Sequence, residues 1–103
     1  MQDNQVYIRG TVKRDAEGVA TPSGGKMMNF CLAIPDAFNR KTMVYVDCVA
    51  MAEIVDEIEG FLTEGEEVTV GGSLTFRTVT KENGKKKTGL SVYVESIDIK
   101  EEK

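Results

Sequence analysis

The chain has 103 residues, 41% hydrophobic and 29% charged, with a formal net charge of −4, which fits one ordinary globular domain spanning residues 1–103. No apolar run is long enough to span a membrane and no signal-peptide core opens the chain, so a cytoplasmic protein is expected. Two cysteines and no histidine exclude a structural zinc site and leave no Ser-His or Cys-His nucleophile pair, so neither a cofactor nor an enzyme is expected.

Residues 5–13 alternate, with Val6, Ile8, Gly10 and Val12 on one side and Tyr7, Arg9 and Thr11 on the other. This predicts a first strand, with Gly10 placed for a bend where a small barrel curls over itself. Residues 14–25 carry Asp15, Gly18, Pro22, Ser23, Gly24 and Gly25 and read as a long connecting loop. Its Ser23-Gly24-Gly25-Lys26 lacks the P-loop spacing and is followed by a strand pattern, so it is a loop signal only.

Residues 26–34 predict a second strand, with Met28, Phe30, Leu32 and Ile34 on one face. A loop over 35–41 separates it from a third strand over 42–51. There Val44, Val46, Cys48 and Ala50 share one face, and Tyr45, Asp47, Val49 and Met51 share the other. Cys31 and Cys48 fall inside these strands without CxxC spacing and read as reduced structural residues.

Over 52–62 the period changes. Ile54, Val55, Ile58, Phe61 and Leu62 recur at helical spacing, and Glu53, Asp56, Glu57 and Glu59 cover the exposed side. Residues 52–67 hold seven acids and no base, which reads as a solvated helix face.

Residues 66–99 predict one long β-hairpin. Val68, Val70, Leu74 and Phe76 set one alternation; Thr69, Gly71, Ser73, Thr75, Arg77 and Val79 set the opposite one; Val92 and Val94 open the returning arm. Asn83-Gly84 suits a tight reversal. From 74 to 89 the bases Arg77, Lys81, Lys85, Lys86 and Lys87 face one acid, Glu82, so the hairpin is basic on an acidic protein.

Three strands, a helix and two strands give an all-β chain. They are the layout of an OB-fold, a five-stranded Greek-key barrel with one helix between the third and fourth strands. In such a barrel one face of each strand fills the interior. The other face here offers Tyr45, Val49, Met51, Arg77 and Val79, beside Phe38, Arg40 and Lys41 in the preceding loop. Rings among cations suit single-stranded nucleic acid, because bases stack on rings while Lys and Arg track phosphates. The same apolar outward residues also suit a contact with a second copy of the chain.

Residues 4–12 (NQVYIRGTV) resemble the opening strand of bacterial single-stranded DNA-binding proteins. The resemblance continues in order through 23–25 (SGG) with 30–33 (FCLA), 45–50 (YVDCVA), 64–74 (EGEEVTVGGSL), 83–86 (NGKK) and 92–97 (VYVESI). It implies an OB-fold and sequence-tolerant binding of single-stranded DNA in replication, recombination or repair, by homodimers or homotetramers paired through the first strand. It places the base-stacking positions on Phe38, Tyr45, Met51 and Val79, two of them aromatic here. Arg40, Lys41, Arg77, Lys81, Lys85, Lys86 and Lys87 supply the cations. Such proteins usually carry a flexible tail with an acidic tip; only four residues follow Ile99, so tail-mediated recruitment of repair enzymes is not expected. The expected site is a shallow groove across the third and fourth strands, covered by the 77–89 hairpin and the 35–41 loop. The alternative is an OB-fold protein-interaction module of the primosomal accessory type.

Overall fold

The computed structural model describes residues 3–20, 24–51, 53–58, 60–80 and 83–99, with side chains for all of these except 19, 20, 79, 80 and 87. The elements run β1 (Val6–Val12), β2 (Glu17–Ala20), β3 (Lys26–Pro35), β4 (Met43–Met51), α1 (Glu53–Ile58), β5 (Glu67–Thr80) and β6 (Lys86–Ile99). Strands lie in the order β1-β5-β6-β4-β3-β2, and a further β1–β3 pairing closes five of them into a barrel. This is the OB-fold expected from the alternating patterns.

The alternation decides which side chains enter the barrel. Met28, Phe30 and Leu32 of β3, Cys48 and Ala50 of β4, Val68 and Val70 of β5, and Val92 and Val94 of β6 are all buried. Each such Val, Leu or Phe contributes on the order of 1.5–3 kcal/mol by leaving water. Helix α1 is too short to hold itself together in water. It packs Val55 and Ile58 into the same core, with Leu62 just beyond it. Glu53 and Asp56 in its first turn favour its N-terminal dipole. The link from α1 to β5 is tied to the end of β1: Gly65 N–H donates to the Val12 carbonyl at 2.9 Å, and Val12 N–H donates to the Glu66 carbonyl at 2.8 Å.

Two close approaches require glycine. A Cβ on Gly10 would lie 2.6 Å from Ile34 Cγ2 and 2.9 Å from the Ala33 carbonyl oxygen, where β1 crosses β3. A Cβ on Gly72 would lie 1.9 Å from the Tyr93 carbonyl oxygen. The second contact sits at a step in register: Gly71 faces Ser96 but Gly72 faces Val94, leaving Glu95 as the extra residue of a β-bulge. The bulge moves the inward set of β6 from Val92 and Val94 to Ile97 and Ile99. Because the clash at Gly72 is with backbone, no rotamer change relieves it. Gly72→Ala is expected to destabilise the fold by about 3 kcal/mol, read from the urea midpoint; a midpoint unchanged within error would contradict the tight crossing.

Three local expectations are corrected. The 14–25 segment is not all loop, since Glu17–Ala20 forms β2 and pairs with residues 26–29 of β3. It has too few residues, and a central Gly18, to show a clear alternation. The helix expected over 52–62 is shorter, at Glu53–Ile58, and a Phe61 N–H to Ile58 carbonyl bond of 2.9 Å closes a turn after it. Ala52 and Glu59 lie outside the described residues.

The third correction concerns the hairpin. Leu74 and Phe76 keep the inward parity of Val68 and Val70 but are exposed, Phe76 at 70%, as is Leu90 opposite Phe76. Periodicity reports which side chains share a face. It does not report where a strand has run past the barrel that would cover them. Among the described residues, no helix is long and apolar enough to cross a membrane.

Candidate nucleic-acid interface

The outward parity of β3 and β4 forms a floor. Register pairs Ala33 with Tyr45, Cys31 with Asp47, Asn29 with Val49 and Met27 with Met51 across these strands. β6 extends the floor, running parallel to β4 with Val49 beside Tyr93. The β5–β6 hairpin folds toward this floor rather than away from it. Arg77 Nη1 donates to Asn29 Oδ1 at 3.1 Å, a bond that joins β5 to β3. Below that bond lies a cavity of about 340 Å³ whose lining includes Arg14, Asn29, Cys31, Asp47, Arg77 and Ser91. The hairpin face that carries Arg77 therefore looks into the groove, and the face that carries Leu74, Phe76 and Leu90 looks out.

Tyr45 stands at one end of the floor, 55% exposed. Lys13 Nζ lies 4.0 Å from its ring centroid, a cation–π contact that places a positive charge beside the ring. Met51 is at the other end of β4, about 20 Å away at strand spacing, and is partly exposed. Tyr45 and Met51 thus share one face, as their spacing predicts. Val49 has the same parity but is 3% exposed, so it supports the floor and offers no stacking surface.

The loop between β3 and β4 is a tight, self-bonded turn. Asp36 Oδ1 accepts from Phe38 N–H at 2.8 Å, and Asn39 Oδ1 accepts from Lys41 N–H at 3.2 Å. Asp36 N–H donates to the Thr42 carbonyl at 2.9 Å across its base. Local Asx bonding of this kind fixes the backbone and leaves the side chains outside. Phe38 is 93% exposed, and Arg40 and Lys41 are exposed beside it. All three extend past the end of the floor nearer Tyr45, since Pro35 pairs with Met43 there.

At the hairpin tip Gly84 has φ 81°, and Asn83 Oδ1 accepts from Lys85 N–H at 3.0 Å, as the Asn-Gly reversal requires. Lys85 and Lys86 are exposed. Val79 faces Lys87 in the β5–β6 register. Lys81 lies outside the described residues, and the side chains of Val79 and Lys87 are not described.

Four contributors went unnoticed in the sequence. Tyr93 is a partly exposed ring beside Val49, and its odd position between buried Val92 and Val94 signals the outward face. Lys13, Asn29 and Ser91 carry no such signal, because their roles depend on pairing between distant strands. Cys48 is buried, and desolvation, with smaller contributions from Cys31 and Asp47, pushes its thiol up to about 12. It is unreactive near neutral pH. Neither Cys31 nor Cys48 is in a disulfide, and they lie on opposite faces of the sheet.

Residues 3–100 match the family described as the single-strand binding protein family. Among curated relatives, a single-stranded DNA-binding protein of Mycobacterium tuberculosis (strain ATCC 25618 / H37Rv) is 30% identical over 103 residues, covering 92% of this chain and 63% of its own. One of Malacoplasma penetrans is 27% identical over 94 residues, covering 91% of this chain and 50% of its own. The chain thus spans about half to two thirds of the length of these relatives. In fold it resembles a solved structure described as Plasmodium falciparum SSB complex with ssDNA, with a TM-score of 0.77, 21% identity, and coverage of 98% of this chain and 97% of that one. With the family matched across nearly all of its length and the barrel in place, this chain belongs to the single-strand binding protein family.

Proposed function

We propose that the protein binds single-stranded DNA, without catalysis, along the outer face of β3 and β4 and beneath the β5–β6 hairpin. One observation carries the reading: the Arg77–Asn29 bond holds a basic hairpin over a floor that ends in the exposed ring of Tyr45. Bases stack on Tyr45, Phe38 and Tyr93, with aliphatic contact at Met51, while Arg40, Lys41, Arg77 and the Lys-rich tip track phosphates. Val79, Lys81 and Lys87 belong to the same reading from their positions in the hairpin. Families of this kind act where DNA is transiently single-stranded, in replication, recombination and repair. A titration of labelled oligo-dT against the same length of duplex tests the reading. Tight, salt-sensitive binding to the single strand alone is expected, and equal binding to both would overturn it.

The same reading includes self-association. β1 pairs with β5 along one edge, and among the described residues its other edge meets β3 only at Thr11 and Val12, so there the backbone of residues 6–10 has no strand beside it on that edge. Tyr7 on this strand is 80% exposed. An open edge beside an exposed ring is satisfied by antiparallel pairing with a second copy. Light scattering at micromolar concentration is expected to give two or four times the 11.3 kDa chain mass; a monomer mass would contradict it.

The protein-interaction reading has one observation in its favour, the exposed Phe76–Leu90 pair on the outside of the hairpin. It predicts no appreciable oligonucleotide binding, and the titration separates the two.

A further inference from the structure

We propose that Lys13 is a positioning residue for the Tyr45 ring, covering one of its faces so that a base stacks on the other. This rests on the single-stranded DNA reading above and adds to it a residue from the end of β1.

Pairing between distant strands brings the two together. β1 closes on β3 with Thr11 opposite Ala33 and Val12 opposite Leu32. Lys13 N–H continues that ladder by donating to the Cys31 carbonyl at 2.9 Å. On the far side of β3, Ala33 faces Tyr45 and Cys31 faces Asp47. Two neighbouring rows therefore cross the outer surface, Thr11-Ala33-Tyr45 and Lys13-Cys31-Asp47. Lys13 shares the side of Tyr45, since Val12 before it points into the core. The lysine and the ring stand two strands apart, about 10 Å at ordinary strand spacing. Both side chains are long, and Ala33 between them is too small to fill the space above β3.

Lys13 has two candidate partners, and it lies over the ring. Its own row ends in the carboxylate of Asp47, yet these two make no ion pair among the described residues. Its Nζ is instead 4.0 Å from the Tyr45 ring centroid. Ring hydrogens would hold a nitrogen at the edge farther off, so the ammonium covers a face. The Tyr45 hydroxyl makes no hydrogen bond among the described residues, which leaves Lys13 as the polar group that orients the ring.

This arrangement acts on binding in two ways. A ring already held in one orientation loses less freedom when a base settles on it. A cation–π contact also strengthens as water leaves, and a base on the open face displaces water from around the ring. Neither effect depends on the identity of the base, so stacking stays sequence-tolerant. With one face taken by Lys13, Tyr45 receives one base and is not inserted between two.

The experiment is a double-mutant cycle, read by anisotropy with labelled oligo-dT. It compares the natural protein, Lys13→Met, Tyr45→Ala and the double variant; both residues lie outside the core, and thermal melts check each fold. Lys13→Met is expected to weaken binding about fivefold in the natural background. In the Tyr45→Ala background, where the contact no longer exists, the same change should cost at most about twofold. Lys13→Arg, which also stacks on aromatic faces, should bind within about twofold of the natural protein. A lysine that meets only phosphate would lower affinity equally in both backgrounds and flatten the salt slope by about 0.7. That result, or no loss in either background, would overturn the proposal. A second measurement needs no variant to bind. In the NMR spectrum of the natural protein, ring shielding should move the Lys13 ε-methylene protons upfield of the other lysines, and they should stay there when oligo-dT binds. An ordinary position in the free protein, or a return to it on binding, would show that the ring face is not held by Lys13 and would overturn the proposal. If the natural protein binds no oligo-dT, the single-stranded DNA reading fails and the role of Lys13 falls with it.

Discussion

Replacing both Phe38 and Tyr45 by alanine is expected to weaken binding to oligo-dT about a hundredfold. A base stacked on an aromatic side chain contributes on the order of 1–3 kcal/mol, and about 1.4 kcal/mol is a factor of ten. The two rings sit on different elements, one on the self-bonded loop between β3 and β4 and one on β4 itself, so their effects should add. Neither belongs to the buried core, so thermal stability should stay close to that of the parent. Tyr45→Phe keeps the ring and its cation–π contact with Lys13, and should bind within about threefold of the parent. Measured by anisotropy at fixed salt, a double variant within threefold of the parent would remove stacking at these positions. The outward face of β4 would then be a surface for protein contact.

The second large effect is electrostatic. Changing Lys85, Lys86 and Lys87 together to alanine should weaken binding about equally for every sequence tested. Each single-strand phosphate contact contributes about 0.7 to the slope of log affinity against log salt, so the slope should flatten by about two. Lys85 and Lys86 are exposed at a well-formed Asn83-Gly84 turn, and the fold does not depend on them. An unchanged slope would place the hairpin tip outside the interface. With a net charge of −4 the chain has no general attraction for DNA, so the location of these cations decides where a strand lies.

Much of this was legible in the sequence where neighbouring residues carry the information. The period-2 runs of β3 and β4 placed Met28, Phe30, Leu32, Val44, Cys48 and Ala50 on one face and Tyr45, Asp47, Val49 and Met51 on the other, and burial follows that division except at Val44, which is exposed, and Val49, which is buried. Gly10 and the Asn83-Gly84 pair marked a close crossing and a reversal, and both occur. What the sequence did not carry was the relation between distant strands. The Glu95 bulge, the closure of β1 on β3 and the fold of the hairpin toward β3 are properties of pairing. Hence Leu74 and Phe76, apolar and in step with the core, read as interior although the hairpin has left the barrel. For the same reason Asn29 and Ser91 read as ordinary strand residues. Arg77 could be nominated as a cation; its tether to Asn29, which aims it at the cavity, required the fold.

The most direct test of the interface is photochemical crosslinking of the natural protein to a bromodeoxyuridine-substituted oligo-dT, with the modified residues mapped by mass spectrometry. Exposed rings are distributed over the whole surface: Phe38, Tyr45 and Tyr93 on or beside the groove, Tyr7 on the β1 face, Phe61 beyond α1 and Phe76 on the outside of the hairpin. Binding across the outer face of β3 and β4 predicts crosslinks at Phe38, Tyr45 and Tyr93. Crosslinks confined to Tyr7, Phe61 or Phe76, with those three rings unmodified, would contradict it.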